Sequence, residues 1–356
     1  MKLLNHSLKA RVLWLLASCI ALLLSSPVHG LQTQTSRKET SNVTRWEHTE
    51  TELGLRRRLE IRGKAEFTDD YTDIKSVSEG GWVIVEEHRG PQSYRYEVRR
   101  DGAGQVTRSF FVNGTARPLD ESGKAWLSKF VLDAVRQGGI DAEKRVRTIL
   151  SQRGVAGVLA EIGQISGDWA KRLYYEQLLK QANLDATALR DVLRQLARDI
   201  SSDYEQAQLL TAVAPMLTGK DVAIQPYFDA VATIKSDYEH GRVLKSILNQ
   251  GTPSSALLVL IASSTQSIRS DYERRGVLTA VARTKSQSEE VLRILLDSAV
   301  EISSDYEKAT FLVEVSNVYT GDTRLRSAFL KAAESIKSDY ERGRVLSALL
   351  KNKQIS

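Results

Sequence analysis

The sequence predicts an α+β protein, in which an N-terminal antiparallel β-meander is followed by an all-α solenoid of helical hairpins. The first observation is the tetrapeptide Ser-Asp-Tyr-Glu, which recurs five times at a constant step of 34 residues. A fixed period of this size is typical of stacked helical repeats. The second is a change in hydrophobic period, from two before residue 118 to that of a helix after residue 140. Such a change separates strands from helices.

Each copy of the tetrapeptide has the sequence of a capping box at a helix start. The Ser hydroxyl is expected to accept the backbone N–H of the Glu, and the Glu carboxylate is expected to return to the Ser N–H. The predicted capping residues are Ser202, Glu205, Ser236, Glu239, Ser270, Glu273, Ser304, Glu307, Ser338 and Glu341. The Asp lies at the first helical position, where its charge favours the helix dipole. It is placed to pair with the side chain three residues on, which is His240, Arg274, Lys308 or Arg342.

An apolar stripe follows each cap, at positions seven, eight and eleven counted from the Ser, which is helical spacing for one buried face. The stripe consists of Leu209, Leu210, Val213, Val243, Leu244, Ile247, Val277, Leu278, Val281, Phe311, Leu312, Val315, Val345, Leu346 and Leu349. An Ile two residues before each Ser is predicted to fill the corner between helices. One hairpin cannot bury such a stripe alone, so neighbouring hairpins must bury it mutually.

The solenoid is predicted to span residues 140–350 as about six hairpins, with a polar tail at 351–356. Its 34-residue unit has the length of a tetratricopeptide repeat, and the architecture is HEAT- or TPR-like, although the tetratricopeptide residue pattern is not met. A degenerate copy of the motif, with Asp168 and Trp169 in the Asp and Tyr positions, precedes the first full copy. Atypical terminal units are expected of such arrays.

Residues 45–137 are predicted to form an antiparallel β domain of five or six strands with a covering helix. Leu55, Leu59 and Ile61 alternate with charged residues, and turn sequences such as Asn113-Gly114 separate the apolar runs. Alternation of this kind indicates a sheet with one wet and one buried face. A helix from about residue 122 to 136 is expected to cover the buried face.

Residues 1–30 have the pattern of a signal peptide cleaved near Gly30, with basic residues before an apolar run from Val12 to Leu24. Two alternatives are a lipoprotein, because Leu16-Ala17-Ser18-Cys19 matches a lipobox, and an uncleaved N-terminal anchor. Residues 31–44 are predicted to be a flexible lead-in. Cys19 is the sole cysteine, so a chain cleaved at Gly30 has no disulfide. Secreted eukaryotic proteins more often carry them, which favours a bacterial periplasmic or secreted protein.

The Ile-x-Ser-Asp-Tyr-Glu units resemble the helical repeats of bacterial envelope proteins, some of which follow the membrane segments of proteins similar to BlaR-type metallopeptidase sensors. The stretch from Phe67 to Arg153, with Thr72-Asp73-Ile74 and Trp126, resembles the region that precedes such repeats. The likeness covers about residues 60–356. The peptidase signature His-Glu-x-x-His does not occur in the sequence, so no catalytic residue carries over. The resemblance implies an extracytoplasmic sensing or interaction module.

The candidate binding residues are the aromatic side chains of the repeats: Trp169, Tyr204, Tyr238, Tyr272, Tyr306 and Tyr340. One interpretation is a row of phenols that grips an extended peptide or glycan. The other is that each Tyr packs on the next repeat, and the strict regularity of the motif favours it, because binding grooves more often vary between units.

Neither a catalytic residue, a metal site nor a cofactor is predicted. His48, His88 and His240 do not have metal-ligand spacing. The formal net charge is +6, and three of the positive residues, Lys2, Lys9 and Arg11, lie in the leader. The rest of the chain therefore carries too little net positive charge to indicate a nucleic-acid partner. The sequence thus favours a non-catalytic scaffold for a protein or peptide of the cell envelope. It touches the membrane only through an uncleaved leader or a lipidated Cys19. The alternative is a hydrolase of an envelope polymer with a site between the β domain and the solenoid.

Overall fold

A computed structural model gives the fold of the chain and describes residues 33–284, 288–319 and 323–352. The predicted signal peptide, with Cys19 and Gly30, lies outside the described residues, as does the tail from 353 to 356. Within the described residues, a seven-stranded antiparallel sheet is followed by thirteen α-helices. The predicted α+β fold class is therefore confirmed.

The sheet is a meander interrupted once. Its strand order is β1-β2-β3-β6-β7-β8-β9, and every neighbouring pair is antiparallel. The short hairpin β4–β5 is inserted between β3 and β6 as a separate two-stranded sheet. The strands are β1 Thr33–Glu39, β2 Val43–Glu50, β3 Leu55–Arg62, β4 Ala65–Phe67, β5 Ile74–Val77, β6 Trp82–Arg89, β7 Gln92–Arg100, β8 Val106–Val112 and β9 Thr115–Arg117.

The N-terminal part of the β domain differs from the prediction in two ways. The flexible lead-in predicted for 31–44 is wrong for its described part, because 33–39 forms the edge strand β1 along β2. The sheet also has more strands than the predicted five or six. The prediction failed because β1 reads Thr-Gln-Thr-Ser-Arg-Lys-Glu, which has no apolar alternation, and six of its seven residues are exposed. Backbone pairing to β2 holds such a strand in place.

One face of the sheet is covered by α1 (Glu121–Gly138), close to the predicted helix. Asp120 caps it by accepting the N–H of Gly123. Trp46 of β2 meets Phe130 of α1 edge to face, with ring centroids 5.9 Å apart. The β4–β5 hairpin adds Phe67 and Ile74 to the same core. This core is separate from that of the helices.

The helices after α1 form two layers. The first-layer helices each start at a motif or its degenerate copy: α3 Asp168–Gln181, α5 Asp203–Val213, α7 Asp237–Leu248, α9 Asp271–Ala282, α11 Asp305–Ser316 and α13 Asp339–Lys351. The second layer contains α2 Ala142–Ile162, α4 Ala186–Asp199, α6 Asp221–Val231, α8 Ser255–Ser264, α10 Glu289–Val300 and α12 Thr323–Glu334. Consecutive first-layer helices are neighbours throughout, from α3 to α13. Gly154 interrupts α2, with φ 63° and ψ −165°, so this helix is itself a kinked pair. Among the described helices, none is both long and apolar enough to cross a bilayer.

The predicted apolar stripe is buried. Every stripe residue of the first four full repeats is at most 4 % exposed, and the five corner isoleucines are at most 5 % exposed. Leu346 is the exception at 36 %. It lies on α13, after which the described chain has no further repeat to cover it. The burial pattern thus follows the nearest-neighbour logic of a solenoid.

Only half of the predicted capping box forms. In each repeat the Ser hydroxyl accepts the N–H of the Glu, at 3.3–3.4 Å. The Ser N–H, however, is bound by the Asp carboxylate of the preceding repeat, at 2.7–2.8 Å in all five junctions. Asp237, for example, binds the N–H groups of both Arg269 and Ser270. The prediction that the Glu returns to its own Ser is wrong, because the neighbouring repeat supplies the acceptor. We call this Asp the staple.

The predicted pairing of the Asp with the side chain three residues on is also wrong for the internal repeats. Those side chains reach the end of the second-layer helix of their own hairpin instead. Arg274 Nη1 donates to the carbonyl oxygen of Glu301 at 2.8 Å, and Lys308 Nζ donates to Ser335 Oγ at 2.9 Å. His240 Nε2 lies 3.0 Å from Ser264 Oγ, and burial lowers the pKa of this imidazole. In the last repeat Arg342 does pair with Asp339.

Candidate functional site: the tyrosine ladder

The motif tyrosines form an exposed row, which we call the tyrosine ladder: Trp169, Tyr204, Tyr238, Tyr272, Tyr306 and Tyr340. The five tyrosines are 54 %, 60 %, 62 %, 58 % and 78 % exposed in chain order, and Trp169 is 37 % exposed. Each ring lies at the second residue of a first-layer helix. Equivalent positions on consecutive helices of one layer place the six rings along one edge of the array.

The motif tyrosines are only partly covered by the protein, and more than half of each side chain is exposed. A ring buried against the next repeat would resemble Tyr227 or Tyr174, which are fully buried. The other members of the motif do have internal contacts, since the Ser caps the helix and the Asp joins the repeats. The Tyr ring is more than half exposed in every full repeat, although Arg344 of the next repeat lies 5.3 Å from the ring centroid of Tyr306. Its regularity therefore needs an explanation other than core packing.

The motif glutamates hold basic side chains on the same face. Each carboxylate pairs with one cation: Glu205 with Arg172, Glu239 with Arg242, Glu273 with Lys245, Glu307 with Arg275 and Glu341 with Arg344. The Glu side chains are 12–15 % exposed and the cations 17–39 %. The carboxylates thus lie beneath the cations, and a ligand approaching the ladder meets the cations first.

Two of these cations lie close to ladder rings. The guanidinium carbon of Arg275 is 5.2 Å from the ring centroid of Tyr272, and that of Arg344 is 5.3 Å from the centroid of Tyr306. A guanidinium within about 6 Å of a ring centroid is attracted to the aromatic face. The Glu307–Arg275 and Glu341–Arg344 pairs therefore each fix a donor group beside a ring.

Sequence reasoning missed these cations, although a signal existed. Counted from the aromatic residue, the basic side chains lie at +3 in Arg172 and Arg275, at +4 in Arg242 and Arg344, and at +7 in Lys245. All three offsets fall on one helix face. Because the offset changes between repeats, a search by fixed position does not find them.

The face is therefore aromatic and rich in hydrogen-bond donors. Phenol rings supply apolar surface with a polar tip, and the Arg side chains supply N–H groups in a fixed fork. Negative charge on the face is neutralised within the Glu–cation pairs. Such a surface suits a ligand that offers flat apolar groups and carbonyl acceptors.

The ladder begins at the junction of the two domains. Arg37 of β1 donates to the carbonyl oxygens of Gly138 and Gly139, at 2.9 and 3.0 Å, and its guanidinium lies 5.6 Å from the ring centroid of Trp169. Gly139 has φ 56°, and a Cβ there would lie 2.5 Å from Leu173 Cδ1. The positive φ thus favours glycine where α1 meets the first ladder helix.

A buried ion cluster fixes the two domains together. Glu161 of α2 accepts two hydrogen bonds from Arg136 of α1, at 2.7 and 3.0 Å, and two from Arg145, at 2.9 and 2.6 Å. The Arg145 guanidinium lies 4.7 Å from the ring centroid of Tyr71 in the β domain. Burial would raise the pKa of Glu161, but the hydrogen bonds and charges of Arg136 and Arg145 outweigh it, so this pKa is lowered.

The junction also contains a cavity of about 560 Å³, which is the place where the hydrolase alternative expects a site. Its lining residues include Thr35, His48, Glu50, Arg57 and Asp133. Thr35 Oγ1 lies 2.8 Å from His48 Nδ1, and His48 Nε2 lies 2.9 Å from Glu50 Oε1. Arg57 is bound by Glu87 and by Asp133. The Thr35 hydroxyl, the His48 imidazole and the Glu50 carboxylate thus form a chain of hydrogen-bonding groups beside this cavity.

No cluster of three or more His, Cys, Asp or Glu side chains with metal-binding geometry occurs in the part of the chain that the structure describes. Comparisons of the chain with protein-family models, with curated proteins and with solved structures give no match. The likeness to the repeat region of BlaR-type sensors therefore stays a prediction. The function is inferred from the geometry of the ladder and the junction.

Proposed function

We propose that this protein is a non-catalytic interaction or sensing scaffold that works outside the cytoplasm of a bacterium and binds a protein or peptide on the tyrosine ladder. The observation that carries the proposal is the exposure of the same aromatic side chain in all five full repeats. The signal-peptide pattern of residues 1–30 supports the location.

The energetics favour a binding role for these rings. A Tyr has few rotatable bonds and a large contact area, so it gives up little conformational entropy when a ligand covers it. Pairing with a Glu limits the motion of each cationic side chain before a ligand arrives. Preorganisation of this kind lowers the free-energy cost of binding. Six rings in a row also allow several weak contacts to add within one ligand.

Site-specific photo-crosslinking in the source cells tests the proposal. A benzoyl-phenylalanine at position 238 is expected to give a discrete adduct with a partner, because the probe replaces a ladder ring. The same probe at Val222, a residue of α6 that is 55 % exposed, is the matched control and should not give this adduct. Adding Tyr306→Ala should weaken the adduct formed from position 238. The same adduct from positions 238 and 222, or no adduct from position 238, would contradict a scaffold that binds its partner on the ladder.

Hydrolysis of an envelope polymer is a second candidate function, favoured by the line of Thr35, His48 and Glu50 at the junction cavity. A hydroxyl paired with a base that a carboxylate orients is the arrangement of an activated nucleophile. The scaffold is preferred because Thr35 and His48 are opposite residues of the β1–β2 register, where a cross-strand hydrogen bond is an ordinary stabilising pair. A reactive phosphonate probe should label the protein, and Thr35→Ala should abolish labelling, if the cavity is an active site. An unlabelled native chain eliminates this candidate.

A further inference from the structure

We infer that the β-sheet has a binding surface of its own, on the face that α1 does not cover, and that its ligand is an acidic polysaccharide with carboxylate or sulfate groups along its chain. This surface is separate from the tyrosine ladder and goes beyond the function proposed for it.

The register of the sheet shows which charged residues lie on the uncovered face. Leu59 of β3 and Val85 of β6 belong to the core beneath α1, and side chains alternate between the two faces of a strand. Arg58 and Glu86, which are opposite residues of the same two strands, therefore lie on the other face. Glu86 is also opposite Arg95 of β7. We call the face that carries Arg58, Glu86 and Arg95 the outer sheet face.

A continuous network of ion pairs crosses the outer sheet face. Its carboxylates are Glu60, Glu86 and Glu97, and each of them is shared by two arginines. The arginines are Arg45, Arg58, Arg95 and Arg99. The network limits the motion of the guanidinium groups before a ligand arrives, which lowers the cost of binding.

The two kinds of side chain in this network lie at different depths. The Glu side chains are 12–14 % exposed, whereas the Arg side chains are 33–47 % exposed. Guanidinium groups therefore form the outer layer, and a ligand that approaches the sheet meets positive charge first.

The outer sheet face also carries an excess of cations. Lys38, Arg56 and Arg62 lie on it in addition to the four network arginines, whereas the three network carboxylates are joined only by Glu47. Arg56 and Arg62 are exposed and form no ion pair within the described chain. Positive charge that the protein does not neutralise itself is available to an anionic ligand.

The guanidinium groups also keep most of their hydrogen-bond donors. A guanidinium has five N–H donors in a planar fork, which matches the oxygen atoms of a carboxylate or a tetrahedral oxyanion. Within the network, Arg45, Arg58 and Arg99 each donate one hydrogen bond to a Glu. The remaining donors suit a ligand that presents acidic groups one after another.

A cavity of about 810 Å³ opens at one end of the outer sheet face. Its lining residues include Arg56, Arg58, Glu47, Glu86 and His88. Arg56 and His88 are opposite residues of β3 and β6, and both are exposed. Cavities of about 300–1,000 Å³ hold small-molecule ligands, so this one has room for a sugar ring that carries an acidic group.

An anionic bilayer and a nucleic acid are the competing partners, and the composition of the sheet favours the polysaccharide. Peripheral membrane binding joins basic residues to an apolar surface that enters the bilayer, and single-stranded nucleic acids stack their bases on aromatic rings. In the described chain, none of the exposed large hydrophobic or aromatic side chains belongs to β2, β3, β6 or β7. A sheet is also twisted, so a flexible polymer can follow the row of arginines, whereas a planar bilayer touches only part of it.

The test measures binding of a fluorescently labelled heparin octasaccharide, which carries sulfate and carboxylate groups, to the purified protein by anisotropy. Affinity should fall as the NaCl concentration rises, because salt screens exposed charges. Arg56→Gln combined with Arg62→Gln should weaken binding about tenfold, or about 1.4 kcal/mol. Urea denaturation should be unchanged, since these two residues lose no ion pair. Arg194→Gln combined with Arg293→Gln removes the same charge from exposed positions of α4 and α10, and this matched control should bind as the native protein does.

Removing a carboxylate gives a readout of the opposite sign. Glu47 lines the cavity and is opposite Arg58. Glu47→Gln should tighten binding of the octasaccharide about threefold, because it removes a charge that repels an acidic ligand. If the charged face served only to stabilise the sheet, this variant would not bind more tightly.

Equal losses in the two double variants would mean that net charge alone attracts the octasaccharide, and would overturn the inference. Equal binding of uncharged maltooctaose would do the same. If phosphatidylglycerol vesicles or a single-stranded oligonucleotide bind through Arg56 and Arg62 while the octasaccharide does not bind, the polysaccharide is wrong. The crosslink from position 238 is unaffected by any of these results, so the ladder and the outer sheet face succeed or fail separately.

Discussion

Replacing Glu161 by Ala is expected to destabilise the protein by about 3–5 kcal/mol, because it leaves buried guanidinium groups without their counter-charge. The Glu161 side chain is 4 % exposed and that of Arg145 is 10 % exposed. Both Arg136 and Arg145 lose their hydrogen bonds in this variant, and Arg136 belongs to α1 of the β domain. Urea denaturation followed by circular dichroism measures the loss. Contacts between the domains should loosen first.

The matched control is Glu143→Ala on the same helix. Glu143 pairs with Arg147, and both side chains are more than 60 % exposed, so this change should cost roughly 0–1 kcal/mol. Equal losses in the two variants would mean that the buried cluster does not hold the junction.

The Glu161 cluster also predicts a pH dependence. Because the folded pKa of Glu161 is lowered, its ionisation stabilises the fold above the unfolded value of about 4.3. That stability is lost as the pH falls through the folded pKa. Glu161→Gln imitates the protonated acid. Its difference from the native protein should be large at pH 7 and should shrink below about pH 4.

Replacing the staple Asp237 by Ala is expected to cost about 1.5–3 kcal/mol, the range for hydrogen bonds to a charged group. Asp237 accepts the N–H groups of Arg269 and Ser270 at 3.1 and 2.8 Å, and no other acceptor for them is supplied by the variant. Because repeats couple to their neighbours, native-state hydrogen exchange should accelerate at the start of α9 more than in distant repeats. Uniform acceleration along the array would contradict nearest-neighbour coupling.

The chain provides its own control for the staple. Asp339 has the same place in the motif and at the helix dipole, but it pairs with Arg342 and its side chain is 90 % exposed. Asp339→Ala removes the same dipole interaction and no staple, so it should cost only roughly 0–1 kcal/mol. If Asp237→Ala and Asp339→Ala lowered the free energy of unfolding equally, the Asp would stabilise only its own helix and not the junction with the next repeat.

Acid should also weaken the staple that Asp305 forms. The N–H groups of Ser338 and Lys337 hold the pKa of Asp305 below its usual value. A carboxylate with a lowered folded pKa stabilises the array above the unfolded value of about 3.9 and stops doing so as the pH falls through the folded value. Protection of the α11–α13 junction in hydrogen exchange should decrease below about pH 4.

Local sequence signals predicted the repeat well and the sheet edge poorly. The apolar stripe of Val243, Leu244 and Ile247 predicts a buried helix face, because helical spacing depends only on residues close in the chain. Strand β1 has no such pattern, since its place depends on backbone bonds to β2. The extra strand was missed for that reason.

The period of 34 residues by itself determined that this protein has equivalent helix starts, with a Ser cap and a buried stripe in each repeat, because capping and helical periodicity act within about one turn of the chain. Only the tertiary structure decided what the remaining motif residues do. The Asp binds the next repeat, and three of the five motif glutamates bind a cation of the preceding repeat, because residues about 30 apart in sequence lie within a few ångströms in space. More than half of each Tyr side chain is exposed, which also depends on how the repeats pack. The same distinction explains the ladder, because identical letters in a repeat do not reveal whether a side chain faces the core or the solvent.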